Sequence, residues 1–210
     1  MNDCSRILEE ELTWREAELS SLKRIAIVNG HNQTLVRATL RACWALLYAH
    51  YEGFTKFCWE LLLDEIQNQN ITIEELSEEF KLLALEKSFR NLRGDISSSA
   101  LLKYFNLVLP NEILKKAVIP PECRLDTECN LWPNVFEREC SKIGVVSVEL
   151  QSRRQRIKTL VSRRNDIAHG KNMTVRSVDE YSEYENATFL VLYDLAVQVL
   201  EIIESKAYLT

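Results

Sequence analysis

The sequence predicts an all-α fold, and three observations carry that prediction. Glycine and proline are scarce, five and four in 210 residues, so few points in the chain favour tight turns or breaks. No segment alternates apolar and polar residues for long enough to make a half-buried strand, and Val145-Val146-Ser147-Val148 is too short to count. Long stretches instead repeat apolar side chains at helical spacing.

Residues 5–28 place Ile7, Leu8, Leu12, Leu19 and Leu22 on one face and acids on the other, an amphipathic helix that Asn29-Gly30 ends. A second helix over about 33–67 is apolar nearly all round in its middle, the pattern of a long central helix covered by several neighbours. Thr72-Ile73-Glu74-Glu75 is a capping box that should open a helix to about residue 92, closed by Gly94. A short helix is expected around 98–108. All four prolines (Pro110, Pro120, Pro121, Pro133) then crowd one region, so 95–145 is read as an irregular insertion. A helix over about 148–168 follows. A second capping box, Ser177-Val178-Asp179-Glu180, opens a final helix to about 205.

Hydrophobic residues make up 46% and charged residues 27% of the chain. That is an ordinary globular balance, and its length suits one domain over 1–210. A net charge of −5 gives no overall reason to expect nucleic acid, but its distribution does. From Arg153 to Arg176 eight lysines and arginines face one acid, Asp166, a local charge of +7 that leaves −12 on the rest. Such a run is either a solvated helix face or a track for phosphates. Six cysteines show no CxxC pair. Cys43 and Cys58 fall in an apolar helix, and a zinc site from Cys123, Cys129 and Cys140 lacks a fourth ligand nearby. The acidic, polar N-terminus is no signal peptide. The apolar stretch 187–203 is interrupted by Asp194 and Gln198, so no membrane span is expected and the cytoplasm is the expected compartment.

The chemistry concentrates in RRNDIAHG, residues 163–170. Leu150, Ile157 and Arg164 recur every seven residues, and Leu160, Val161, Ile167 and Ala168 fill out the same stripe, which places Arg164 on the buried face. A guanidinium there needs an anion, a partner or water in a cleft. The ordinary explanation is an ion pair with an acid of another helix; Glu52 is a candidate for it, or for support of the site by orienting His169. His169 sits in the last turn, with Gly170 placed to adopt the left-handed conformation that stops a helix. His50, on the apolar second helix, reads as a core histidine or as support for the site. His31 reads as a loop residue, and Asp166 as a surface acid or as support. No phosphate-binding glycine loop, Ser-His-Asp pattern or metal-ligand cluster is visible, so neither cofactor nor metal is expected.

Arg164-Asn165-Asp166-Ile167-Ala168-His169 is an R-x4-H motif with a polar residue directly after the arginine, late in an all-α chain, with a long terminal helix beyond it. It resembles the motif of the HEPN superfamily. Leu46–Phe54 (LLYAHYEGF) and Glu11–Leu19 (ELTWREAEL) also look like a bacterial branch of HEPN-like nucleases. The resemblance implies an up-and-down helical bundle and a metal-independent endoribonuclease acting as a toxin or anti-phage effector. In such enzymes the histidine moves the proton of the ribose 2′-hydroxyl, and the arginine binds the phosphate that this hydroxyl attacks. Carried onto this chain, the catalytic residues are Arg164 and His169 with Asn165. Arg153, Arg156, Arg163 and Lys171 are the candidate contacts to RNA. Some family toxins carry a tyrosine two residues after the histidine, which a partner enzyme modifies; here that position is Lys171.

Two other readings remain beside this one: a HEPN-fold module that binds RNA or a nucleotide without cutting it, and a helical interaction protein. One histidine and one arginine are thin for acid–base cleavage needing both a proton acceptor and a donor. A homodimer with a composite active site is therefore expected, with an antitoxin or defence-system protein as a further partner.

Overall fold

A computed structural model describes residues 3–120 and 124–210. In chain order the helices are α1 (Asp3–Val28), α2 (Gln33–Asn68), a 3₁₀ turn (Ile73–Glu75), α3 (Glu78–Gly94), α4 (Ser98–Lys103), a π-helical turn (Tyr104–Val108), α5 (Leu109–Glu112), α6 (Pro133–Ser141), α7 (Val148–Ala168) and α8 (Val178–Ser205). There is no strand among the described residues, only isolated bridges between Thr72 and Lys116 and between Leu76 and Leu209. The chain is all-α.

The predicted central helix is α2. It packs against α1, α7 and α8, while α1 also reaches α8 and α6 rests on α7. Its all-round apolarity has the expected cause, since Leu40, Trp44, Leu47, Tyr51, Phe54, Trp59, Leu62 and Ile66 have no exposed surface. Burying each such side chain contributes about 1.5–3 kcal/mol before conformational entropy is subtracted. Asn32 starts α2 by accepting the Leu35 N–H at 3.1 Å. The apolar stretch near the C-terminus is spent inside the same core. Helix α8 is long and apolar enough to cross a membrane, yet half of its most apolar window is buried against the bundle.

Three hydrogen bonds set α7 in place. Trp44 Nε1 donates to the Leu160 carbonyl at 3.1 Å, in the buried seam between α2 and α7. At the other end Ser147 caps α7 through the Leu150 N–H at 3.0 Å, and its hydroxyl donates to Asp194 of α8 at 2.6 Å. The stripe of Leu150, Ile157, Leu160 and Val161 is fully buried as predicted. It extends to Ile167, which is partly buried against the core, but not to Ala168, which is exposed.

The excursion between α2 and α7 differs from the expected one. The Thr72 capping box forms, with the Thr72 N–H and hydroxyl both held by Glu75, but it caps the 3₁₀ turn; α3 starts later, after Ser77. The reason is an external tether. The Ser77 N–H donates to the Tyr208 carbonyl at 2.7 Å and the Thr210 N–H to the Glu75 carbonyl at 3.0 Å, so the C-terminal residues hold this segment extended. The region read as irregular, 95–145, contains α4, the π turn, α5 and α6. Pro133 opens α6, where a missing N–H costs no hydrogen bond, and Pro110 is the second residue of α5, directly after the π turn. Of the cysteines weighed as zinc ligands, Cys129 is exposed, Cys140 is buried, and Cys123 lies outside the described residues.

Replacing Trp44 with Phe removes the donor to Leu160 and leaves a small void. The variant should keep its helical far-UV signal while losing about 1–3 kcal/mol of stability in urea unfolding.

Candidate functional site

The R-x4-H segment closes α7 in a Schellman stop. Gly170 takes φ +72°, its N–H donates to the Ile167 carbonyl at 3.0 Å, and the Lys171 N–H donates to the Asp166 carbonyl at 2.9 Å. Asp166 and Lys171 reinforce the turn with an ion pair at 2.7 Å, in place of the usual apolar contact. His169 is the C-cap residue, and its N–H still reaches the Asn165 carbonyl at 2.9 Å. Its imidazole is exposed. Asn165 thus touches His169 through the backbone, and its side chain is half-buried beside Arg164 in the chain.

Arg164 turns inward, as its place on the stripe predicts. Its guanidinium lies 3.7 Å from the centre of the Tyr48 ring, a cation–π contact, and Nη2 lies 3.8 Å from Glu52 on α2. That is an ion pair but not a hydrogen bond. Glu52 is engaged elsewhere: Lys56 approaches one oxygen at 2.5 Å, and Thr127 donates to the same oxygen from 3.4 Å. Burial alone would raise the Glu52 pKa, but Lys56, Tyr48 and Arg164 outweigh it and hold the carboxyl below its ordinary range. The Tyr48 phenol is pushed up to about 12, chiefly by burial, and accepts the Leu131 N–H at 2.8 Å. Arg164 is therefore held in place by a ring face and a distant charge. Its Nε is buried with no partner, and the side chain as a whole remains about one-fifth exposed. A planar fork so held can still take a phosphate oxygen pair.

His50 does not join this group. It is buried on the α1 side of α2, its ring edge-on to Trp14 at 5.2 Å and its Nε2 3.0 Å from Glu18. Arg15 is buried beside it, over the rings of Trp14 at 4.2 Å and Phe54 at 5.3 Å, and paired with Glu11. Glu11–Leu19 and Leu46–Phe54 thus pack on each other and build the α1–α2 seam.

The basic window is less bare than its sequence suggests. Arg153 pairs with Glu149, Arg154 with Glu137, and Lys171 with Asp166. Arg163 pairs with Glu180 at 2.7 Å and lies over the ring of Trp44 at 4.9 Å, so it braces α7 against α8 and α2. Arg156 is exposed with no carboxylate partner among the described residues. Sequence separation hides this: Glu137 and Glu180 lie outside the window, and Glu149 lies one helical turn before it.

Three residues went unread in the sequence. Arg41 of α2 donates to the carbonyls of Lys171 at 3.0 Å and Met173 at 2.6 Å, tying down the loop that follows His169. Tyr48 is the platform under Arg164, and Thr127 connects the excursion to Glu52. Tyr48 and Glu52 stand four apart in the same YAHYE stretch that carries His50, the one local signal available for them. A cleft of about 440 Å³, lined by Leu83, Glu86, Arg90, Arg124 and Lys142 among others, shares none of these residues.

A family model described as HEPN_MAE_28990:/-like HEPN matches residues 5–208. Searches of curated proteins and of solved structures find no match.

The titrations of His50 and Glu52 separate in pH. Burial, reinforced by Arg15 and opposed by Glu18, lowers the His50 pKa. As pH falls through about 6.5 the unfolded chain takes up a proton that the folded chain refuses, so this contribution to stability is complete above that pH and declines below it. Glu52, also lowered, contributes stability that is lost only as pH falls below the ordinary glutamate value near 4.3. Chemical unfolding from pH 8 to 4 should show the first decline in the wild type and a shallower one in His50→Gln.

Proposed function

The chain belongs to the HEPN family whose model spans residues 5–208, and from that premise we propose that it is a metal-independent endoribonuclease acting as a toxin or anti-phage effector in the cytoplasm. The observation that carries this reading is the pairing of an inward, incompletely bonded Arg164 with an exposed His169 at the stop of the same helix. Arg164 binds the scissile phosphate and offsets the charge that grows on its oxygens. His169 takes the proton of the ribose 2′-hydroxyl, whose oxygen attacks phosphorus; the bond to the 5′-oxygen breaks and a 2′,3′-cyclic phosphate remains. Asn165 orients the phosphate beside Arg164.

The departing 5′-oxygen needs a proton, and one chain offers a single histidine at this end. A homodimer supplies the second from His169 of the partner subunit, in a composite site. An antitoxin or defence-system protein would then restrain or trigger the activity. Neutralisation through a modified tyrosine is not open to this chain, because Lys171 stands at that position and is used to close the turn.

Cleavage of RNA in EDTA, leaving 2′,3′-cyclic phosphate ends, is the expected activity; 5′-phosphate products would overturn the reading. His169→Ala should lower the rate about 10²–10⁴-fold with stability unchanged. Arg164→Lys keeps the charge over Tyr48 but loses the fork, and should cost about 10²-fold or more in rate with little change in unfolding. The rate per subunit should fall on dilution through the dimer's dissociation; a monomer that cleaves at full rate would overturn the composite site.

A further inference from the structure

Folding creates a basic surface that no single window of the sequence displays. Between Glu18 and Glu52 there is no acid, and the intervening residues carry Lys23, Arg24, Arg37 and Arg41. This is the turn region of the α1–α2 hairpin. Between Asp166 and Asp179 there is again no acid, and that segment carries His169, Lys171 and Arg176. The two segments are joined in space by Arg41, which donates to the carbonyls of Lys171 and Met173. The hairpin therefore borders the loop that begins at His169.

Three cations of this surface have no internal partner. Arg24, Arg37 and Arg176 are exposed, and no carboxylate among the described residues lies within ion-pair distance of them. Lys23 is held by Glu185 and Lys171 by Asp166. In the α7 window Arg153, Arg154 and Arg163 are each already matched by a glutamate, and Arg156 and Lys158 are exposed with no carboxylate partner among the described residues. An incoming phosphate gains most from a cation that has no internal partner to give up. The same hairpin exposes Ile25, Ile27, Val28 and Leu35, 37–67% accessible, which gives unstacked bases an apolar surface beside the charges.

We propose that the α1–α2 hairpin, through Arg24 and Arg37, is the surface that receives single-stranded RNA and leads it to the Arg164–His169 end, and that the glutamate-paired arginines of α7 contribute little of the track. This rests on the ribonuclease reading for the identity of the polyanion. Single-stranded RNA is favoured over an acidic lipid surface because the acid-free hairpin runs continuously into the loop that holds His169.

The test measures binding in a His169→Ala background, with a labelled single-stranded RNA of mixed sequence across a range of salt. Arg24→Glu with Arg37→Glu should weaken binding about tenfold or more near 0.1 M salt. The slope of log affinity against log salt should fall by about 0.7 for each phosphate contact removed. Arg153→Glu with Arg154→Glu should change both far less. If the α7 pair carries the loss and the hairpin pair none, the inference falls while cleavage by the wild type still stands. If the wild type binds RNA through the hairpin yet never cleaves, the ribonuclease reading falls and the inference stands. Binding to vesicles rich in anionic lipid, with none to RNA, overturns the inference. Each variant's helical signal is compared with the wild type, and Arg24→Gln with Arg37→Gln, which adds no repulsion, should show about half the change in slope or more.

Discussion

The hydrogen bond from Trp44 to the Leu160 carbonyl is the constraint on which the candidate site depends. It crosses a buried seam, where a misplaced indole would leave its N–H unsatisfied. It therefore fixes both the height of α7 on α2 and its rotation. Leu160 lies one turn before Arg164, and Trp44 one turn before Tyr48. Once the first pair is locked, the second is delivered: the guanidinium lies on the phenol ring, with Glu52 at ion-pair distance. The same indole lies under Arg163, whose other contact, Glu180, belongs to α8. One side chain thus aligns three of the four bundle helices around a single point.

The energetic logic at Arg164 differs from that at Arg163, though the two are adjacent. Arg163 is matched by Glu180 at hydrogen-bonding distance and serves packing. Arg164 stands further from its acid, and that acid is shared with Lys56 and Thr127. A stacked cation of this kind is stabilised by about 0.5–2 kcal/mol, enough to hold it without exhausting its donors. The difference between a structural and a receptive arginine is here a matter of how many other groups its partner must satisfy.

Much of the fold was legible, because the four bundle helices carry their own periodicity and caps. Their ends at Val28, Asn68, Ala168 and Ser205 lie within a few residues of where Asn29-Gly30, the end of the apolar run and Gly170 point. The motif residues were legible for the same reason, since a spacing of seven is local. What was not legible was everything set by distant contact. Nothing near Thr72 shows that residues 208–210 will hold the following segment extended. Nothing near Arg154 shows that Glu137 of another helix will neutralise it, and nothing near His50 decides which face of α2 meets α7. The hairpin's lack of acids was visible in the sequence, but a gap in one charge type is easy to overlook beside a run of the other. Its importance comes only from Arg41 reaching across to the loop after His169.

The separation of acids from the hairpin end has a kinetic side. The two acid-free segments carry +6 while the remaining residues carry −11, so the molecule is an electric dipole as well as a net anion. At a distance a polyanion is repelled by the whole. Nearer than the Debye length, roughly 8 Å at physiological ionic strength, it experiences the local end, and the torque turns that end toward it. Collisions in wrong orientations are discouraged before contact is made. Such a molecule trades frequency of encounter for selectivity of approach, and the trade shifts with every change in ionic strength.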